Sequence, residues 1–106
     1  MGAVFRALAD PTRRRVLQLL RDGPKTAGQL AVHFPVSKPT MSAHFAVLRE
    51  ADLILGQRRG KVVTYQLRIS VLEEALREFA TLLALDLSHG PPADSSNAAA
   101  LEKQTI

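Results

Sequence analysis

Cysteine and tryptophan are absent from the 106 residues, and aromatic residues make up only 5% of them. Without thiols there is no disulfide framework, no thiolate metal site, no iron–sulfur cluster and no cysteine nucleophile. No apolar run approaches the roughly 20 residues that span a membrane, and the N-terminus lacks the apolar stretch of a signal peptide. The expectation is a cytoplasmic domain without membrane insertion. Acid is scarce where base is plentiful. Residues 1–68 hold 12 Lys/Arg against 4 Asp/Glu, a net +8, while residues 69–106 hold 2 against 6, a net −4. A strongly basic segment suits a polyanionic partner, and the acidic remainder suits a different task. What is present suffices for one folded domain: 46% hydrophobic and 23% charged residues, at a length typical of a single core.

Punctuation divides the chain. Val4, Phe5 and Leu8 share one face of a short first helix. Asp10-Pro11 then starts a second helix, predicted to run to about Asp22, with Asp10 as its cap, Val16, Leu17 and Leu20 inward, and Gly23-Pro24 ending it. Thr26 and Gln29 have the spacing of a capping box, which opens a helix expected to reach Phe34. Ser37 caps a fourth helix over about residues 38–51, with Met41, Phe45 and Leu48 as its buried stripe. Leu53–Gln57 and Val62–Leu67 read as strands joined by the turn Arg58-Arg59-Gly60-Lys61. Ser70 and Glu73 form a second capping-box pattern at the head of a long final helix. The predicted fold is mainly α with a small β-hairpin, in the order α-α-α-α-β-β-α of a winged helix-turn-helix. The folded domain is assigned to residues 1–87. Residues 88–106, rich in Ala, Ser and Pro, have the composition of a disordered tail.

The fourth helix offers Ser37, Lys38, Pro39, Thr40, Ser42, Ala43 and His44 outside its apolar stripe, with no acid before Glu50. Small residues permit close approach to a major groove, hydroxyls and imidazole reach base edges, and Ala43 suits a thymine methyl. The hairpin repeats the message: Arg58, Arg59 and Lys61 crowd around Gly60, and like charges so close repel unless a polyphosphate relieves them. Double-stranded DNA is the expected partner. Arg13 is assigned a structural role beside the core stripe, whereas Arg14 and Arg15 read equally as solvated surface or as distant phosphate contacts.

Three motifs in sequence order carry a family resemblance. They are Phe5-x-Ala7-Leu8-Ala9-Asp10-Pro11-Thr12-Arg13-Arg14-x-x-Leu17, Ser37-Lys38-Pro39-Thr40-Met41-Ser42-x-His44-Phe45-x-x-Leu48-x-Glu50-Ala51, and Arg58-Arg59-Gly60-x-x-x-x-Tyr65-x-Leu67. Over about residues 3–83 the chain resembles ArsR-type winged-helix repressors, and Ala27-Gly28-Gln29-Leu30-Ala31 is most similar to the SdpR-like autorepressor branch. The resemblance implies a dimeric bacterial DNA-binding repressor that reads through helix 38–51 and a wing at residues 58–61. Two positions depart from the family pattern. Asp52 stands where Gly is usual, at a helix end expected to need a left-handed residue, and Ala43 replaces a larger polar residue.

No cofactor and no metal are expected. The final helix offers Glu73, Glu74, Glu78 and Asp86 with His89 as its one imidazole, a poor set for a soft metal. Catalysis finds no pattern either: Ser42 and His44, two residues apart on a helix, diverge. The final helix instead repeats Leu72, Ala75, Leu76, Phe79, Leu82 and Leu83, a stripe longer than a small core can cover. Leu72, Leu76, Phe79, Leu82 and Leu83, with Val4, Phe5 and Leu8, are the expected homodimer contacts, setting two reading helices about 34 Å apart on a pseudo-palindrome. Three alternatives stand beside this reading: a winged helix repurposed as a protein-docking module, a metal-responsive repressor with a non-cysteine site, and control by a sequestering protein or small-molecule signal.

Overall fold

The computed structural model describes residues 1–85, which form five helices and a three-stranded antiparallel sheet. The order is α1 (Gly2–Leu8), α2 (Pro11–Leu20), β1 (Lys25–Thr26), α3 (Ala27–Ala31), α4 (Lys38–Glu50), β2 (Ile54–Arg59), β3 (Val62–Leu67) and α5 (Ile69–Leu82). It is a winged helix-turn-helix. The predicted tail from Ser88, together with Asp86, Leu87 and His89, lies outside the described residues.

Local chemistry accounts for most boundaries. The Asp10 carboxylate accepts from the N–H groups of Thr12 (2.8 Å) and Arg13 (3.2 Å), and Pro11 occupies the first turn of α2. At α3 the capping box is complete: the Gln29 N–H donates to Thr26 Oγ1 at 3.0 Å, and the Thr26 N–H to Gln29 Oε1 at 2.8 Å. That helix ends at Ala31 rather than Phe34, because Pro35 biases Phe34 away from helical geometry. The His33 and Phe34 N–H groups bond instead to Leu30 and Ala31 in tighter turns. α2 likewise stops at Leu20, short of Asp22.

The C-terminus of α4 turns through Asp52 at φ 61°. The Asp52 N–H bonds to the Arg49 carbonyl (2.9 Å) and the Leu53 N–H to that of Leu48 (3.0 Å). These are the paired bonds of a Schellman motif, with Leu48 and Leu53 both fully buried across it. α5 begins at Ile69, so Ser70 lies inside the first turn and not at the predicted cap; the Arg68 carbonyl accepts from the Val71 N–H there. The far end of α5 closes at Leu82 through a second Schellman pair, Ala84 N–H to Thr81 and Leu85 N–H to Ala80, with Ala84 at φ 58°. Leu83 therefore leaves the helix that the apolar periodicity extended to it.

The sheet order is β1-β3-β2, so β3 is central, pairing Lys25 with Tyr65 on one side and Gly56 with Tyr65 on the other. The two-residue β1 is absent from the sequence reading; too short for periodicity, it exists through its pairing with β3. The chain divides into two units, Met1–Ala75 and a second that starts at Leu76. The first holds one core, in which Val16, Leu30, Leu48, Leu53 and Ile54 are almost completely enclosed and the rings of Phe45 and Tyr65 pack at 4.7 Å. Leu-to-Ala changes at such positions cost about 2–5 kcal/mol.

Candidate nucleic-acid interface

α4 is anchored on one side and open on the other. Met41, Phe45 and Leu48 are buried, whereas Ser37, Lys38, Pro39, Thr40, Ser42 and Ala43 are exposed. Ser37 fixes the N-terminus: its Oγ accepts the Thr40 N–H at 3.3 Å and its hydroxyl donates to Thr40 Oγ1 at 3.0 Å. At 3.6 residues per turn the outward surface has two flanks. Lys38, Ser42 and Arg49, at i, i+4 and i+11, line one flank; Thr40, His44 and Val47 line the other. No acid stands on α4 before Glu50.

His44 departs from the predicted group. Its side chain is only 16% exposed, with Nδ1 3.2 Å from Arg13 Nη1 and 3.9 Å from Asp10 Oδ2. Arginine can only donate, so in that contact Nδ1 is the acceptor and the ring proton sits on Nε2. His44 thus ties α4 to the start of α2. Val47, outside the predicted stripe of Met41, Phe45 and Leu48, packs partly against the core. Arg13 has the structural role expected of it: Nε donates to the Ala7 carbonyl (2.8 Å) and Nη2 to that of Arg6 (3.1 Å), satisfying the C-terminal end of α1. Arg14 joins it there through the Leu8 carbonyl at 2.8 Å. Arg15 bonds Gln18 at 3.2 Å. Burial pushes the Asp10 carboxyl up, but the N–H groups of Arg13 and Thr12 and the charge of Arg13 outweigh it, and its pKa lies below the ordinary value.

The hairpin is longer and its turn tighter than the sequence suggested. β2 runs through Arg59, Arg59 pairs with Val62, and only Gly60 and Lys61 form the loop. Gly60 sits at φ 59° while Lys61 has negative φ, the pattern of a type II′ turn with glycine first. Because strand residues alternate, Arg58 and Arg59 do not form one cluster. Arg58 shares a face with Ile54 and Gly56, which pair with Leu67 and Tyr65; Arg59 lies on the opposite face with Leu55 and Gln57. Both arginines and Lys61 are exposed.

Arg49 was not among the residues singled out from sequence. It lines a cleft of about 190 Å³ with Gly56, Arg58, Val63 and Tyr65. The signal was available in its i+11 spacing from Lys38, which places it on the flank toward the hairpin. Gly56 opens the cleft, since a Cβ there would meet the Tyr65 ring at 3.0 Å. Among the described residues no group of three or more His, Asp or Glu is placed to hold a metal ion, and no helix is long and apolar enough to cross a membrane.

The predicted homodimer contacts divide. Val4 is 6% exposed and belongs to the chain's own core, because it faces inward with Ala7; Phe5, Leu8 and Leu72 pack partly against that core. Leu76, Phe79, Leu82 and Leu83 are exposed, Leu82 at 68%.

A helix-turn-helix domain family matches residues 8–57. The transcriptional repressor SdpR of Bacillus subtilis is 43% identical over 72% of this chain and 84% of its own length. The HTH-type transcriptional regulator CmtR of Mycobacterium tuberculosis is 40% identical over 81% and 74% respectively. Among solved structures, an ArsR family transcriptional regulator superimposes with a TM-score of 0.68 at 34% identity, covering 78% of this chain and 89% of that one. A possible transcriptional regulator for arsenical resistance gives 0.66 at 38%, covering 73% and 80%.

Proposed function

The chain belongs to the ArsR family of winged helix-turn-helix transcriptional repressors, and from that membership we propose that it acts as a homodimer on a pseudo-palindromic operator, its own promoter being the first candidate. The observation that carries the reading is the outward surface of α4: small, hydroxyl-bearing and free of acid from Lys38 to Arg49. Such a surface suits a major groove, where Ser42, Thr40 and Ala43 supply base-edge contacts and Ser37 and Lys38 meet phosphate. Arg58, Arg59 and Lys61 add the sequence-independent affinity of counterion release. The exposed Leu76, Leu82 and Leu83 supply apolar surface for a second copy, which places two α4 helices about one helical turn of DNA apart. The named regulators among its relatives favour a non-catalytic, cytoplasmic role.

Selection of bound fragments from random-sequence DNA, followed by affinity measurements from low to physiological salt, tests the reading. The expected outcome is a two-fold symmetric site bound at least about 10³-fold more tightly than random duplex, with affinity falling steeply as salt rises. Absence of binding to any duplex at low salt overturns it in favour of a protein-docking module.

A further inference from the structure

Arg49 and Arg58 reach the same cleft from different elements, one from the last turn of α4 and one from β2. Its other lining residues are Gly56, Val63 and Tyr65, so no carboxylate borders it. Neither guanidinium has an ion pair or side-chain hydrogen bond with another described residue. Two like charges converging without a counter-charge repel each other, and an anion placed between them removes that cost. The floor beneath them is closely packed: Tyr65 is 5% exposed, its ring tilted against that of Phe45 at 4.7 Å, and it lies across Gly56 where any Cβ would crowd it.

We propose that this cleft is a clasp for one backbone phosphodiester of the bound duplex, gripped jointly by Arg49 and Arg58. The inference rests on the DNA-binding reading above and narrows the part of Arg58 in it to one phosphate shared with Arg49. The argument is geometric. On one side of a duplex, a major groove and the next minor groove are separated by a single phosphate strand. A protein that lays α4 in one groove and its hairpin tip in the other straddles that strand, and the cleft between α4 and the hairpin is where the strand passes. Guanidinium forks match phosphate oxygens in bidentate geometry. The line Lys38, Ser42, Arg49 along α4 leads to the cleft, whereas Arg59, on the opposite face of the hairpin, does not line it.

The test measures binding to a selected operator and to random duplex as salt is varied. Arg49→Ala and Arg58→Ala are each expected to weaken both complexes about 3- to 10-fold, by equal factors, because a phosphate contact carries no sequence information. The double variant is expected to reduce the salt slope of the dimer–operator complex by about two, about one per half-site, the value for a single phosphate in each. A reduction of about four means that the arginines hold separate phosphates, and an unchanged slope means that they hold none; either overturns the clasp. A symmetric pair of neutral methylphosphonates, one in each half-site and moved in step along the operator, supplies a readout on the unaltered protein. One such pair of positions is expected to weaken wild-type binding as much as the double substitution does, and to leave the double variant unaffected. If no such position exists while inorganic phosphate still shifts the Tyr65 ring resonances, the cleft belongs to a free anion and the proposal falls. Loss of all duplex binding by the wild-type chain would instead indict the DNA-binding reading itself.

Discussion

Asp52 shows how much one residue can hold against its own preference. The left-handed backbone it adopts costs an L-residue about 1–2 kcal/mol, less for Asp, and nothing for Gly. The motif persists because it satisfies the end of α4 and seats Leu53 beneath Leu48. Asp52→Gly is therefore expected to stabilise the fold by up to about 1 kcal/mol, read as a higher urea midpoint at unchanged slope. Asp10 is the converse, a residue whose preference and setting agree. Removing its cap by Asp10→Ala is expected to cost about 1 kcal/mol at neutral pH. Its pKa is lowered in the folded chain, so the stability it adds is complete above the unfolded value near ~3.9 and is lost as pH falls through the folded one. The gap between wild type and Asp10→Ala in chemical denaturation should consequently narrow on acidification below about pH 4. A gap that stays constant into that range would assign the effect to helix propensity alone.

At the scale of elements, whatever is encoded locally was legible in the sequence. Thr26 with Gln29, Ser37 before Pro39, and Asp10 before Pro11 each fix a helix start by a hydrogen bond within three residues, and each forms as expected. Features that depend on a distant partner were not legible. β1 exists only because β3 lies beside it, and Ser70 is overtaken by a helix that begins one residue earlier. The candidate interface followed the same rule. The exposed face of α4 followed from periodicity, but its edge did not, because His44 is drawn aside by Arg13 and Asp10 from another helix. The split of Arg58 from Arg59 required the register of β2 against β3, which a Gly-containing run of cations does not disclose. Gly56 carries that register's steric consequence. Gly56→Ala brings a methyl to 3.0 Å from the Tyr65 ring, and ring displacement is expected to cost about 1–3 kcal/mol. Shifted Tyr65 and Phe45 ring resonances should accompany the loss, and unshifted rings would mean that the backbone has given way instead.

For the whole molecule, charge and apolar surface divide the labour along the chain. The +8 of residues 1–68 includes α4 and the hairpin, while the exposed leucines at the end of α5 lie in the segment of net −4. The 106 residues hold no cysteine, so they offer no thiolate to a ligand. A monomer carries one α4, and its phosphate contacts alone give affinity without much discrimination. In the proposed dimer, two copies held about 34 Å apart would add their base contacts on one site. Leu82→Glu, at a position 68% exposed, leaves the chain's own core untouched but sets a charge into the proposed dimer surface. Each leucine withdrawn from such a surface is worth about 1.5–3 kcal/mol, so self-association should weaken by at least about tenfold in sedimentation equilibrium. Because dimer assembly then has to accompany operator binding, operator affinity should fall far more than affinity for random duplex, and binding to the operator should become steeper in protein concentration. If Leu82→Glu instead leaves both the association state and the operator preference unchanged, the end of α5 is not the dimer surface, and the second α4 must be brought to the DNA by another face of the chain.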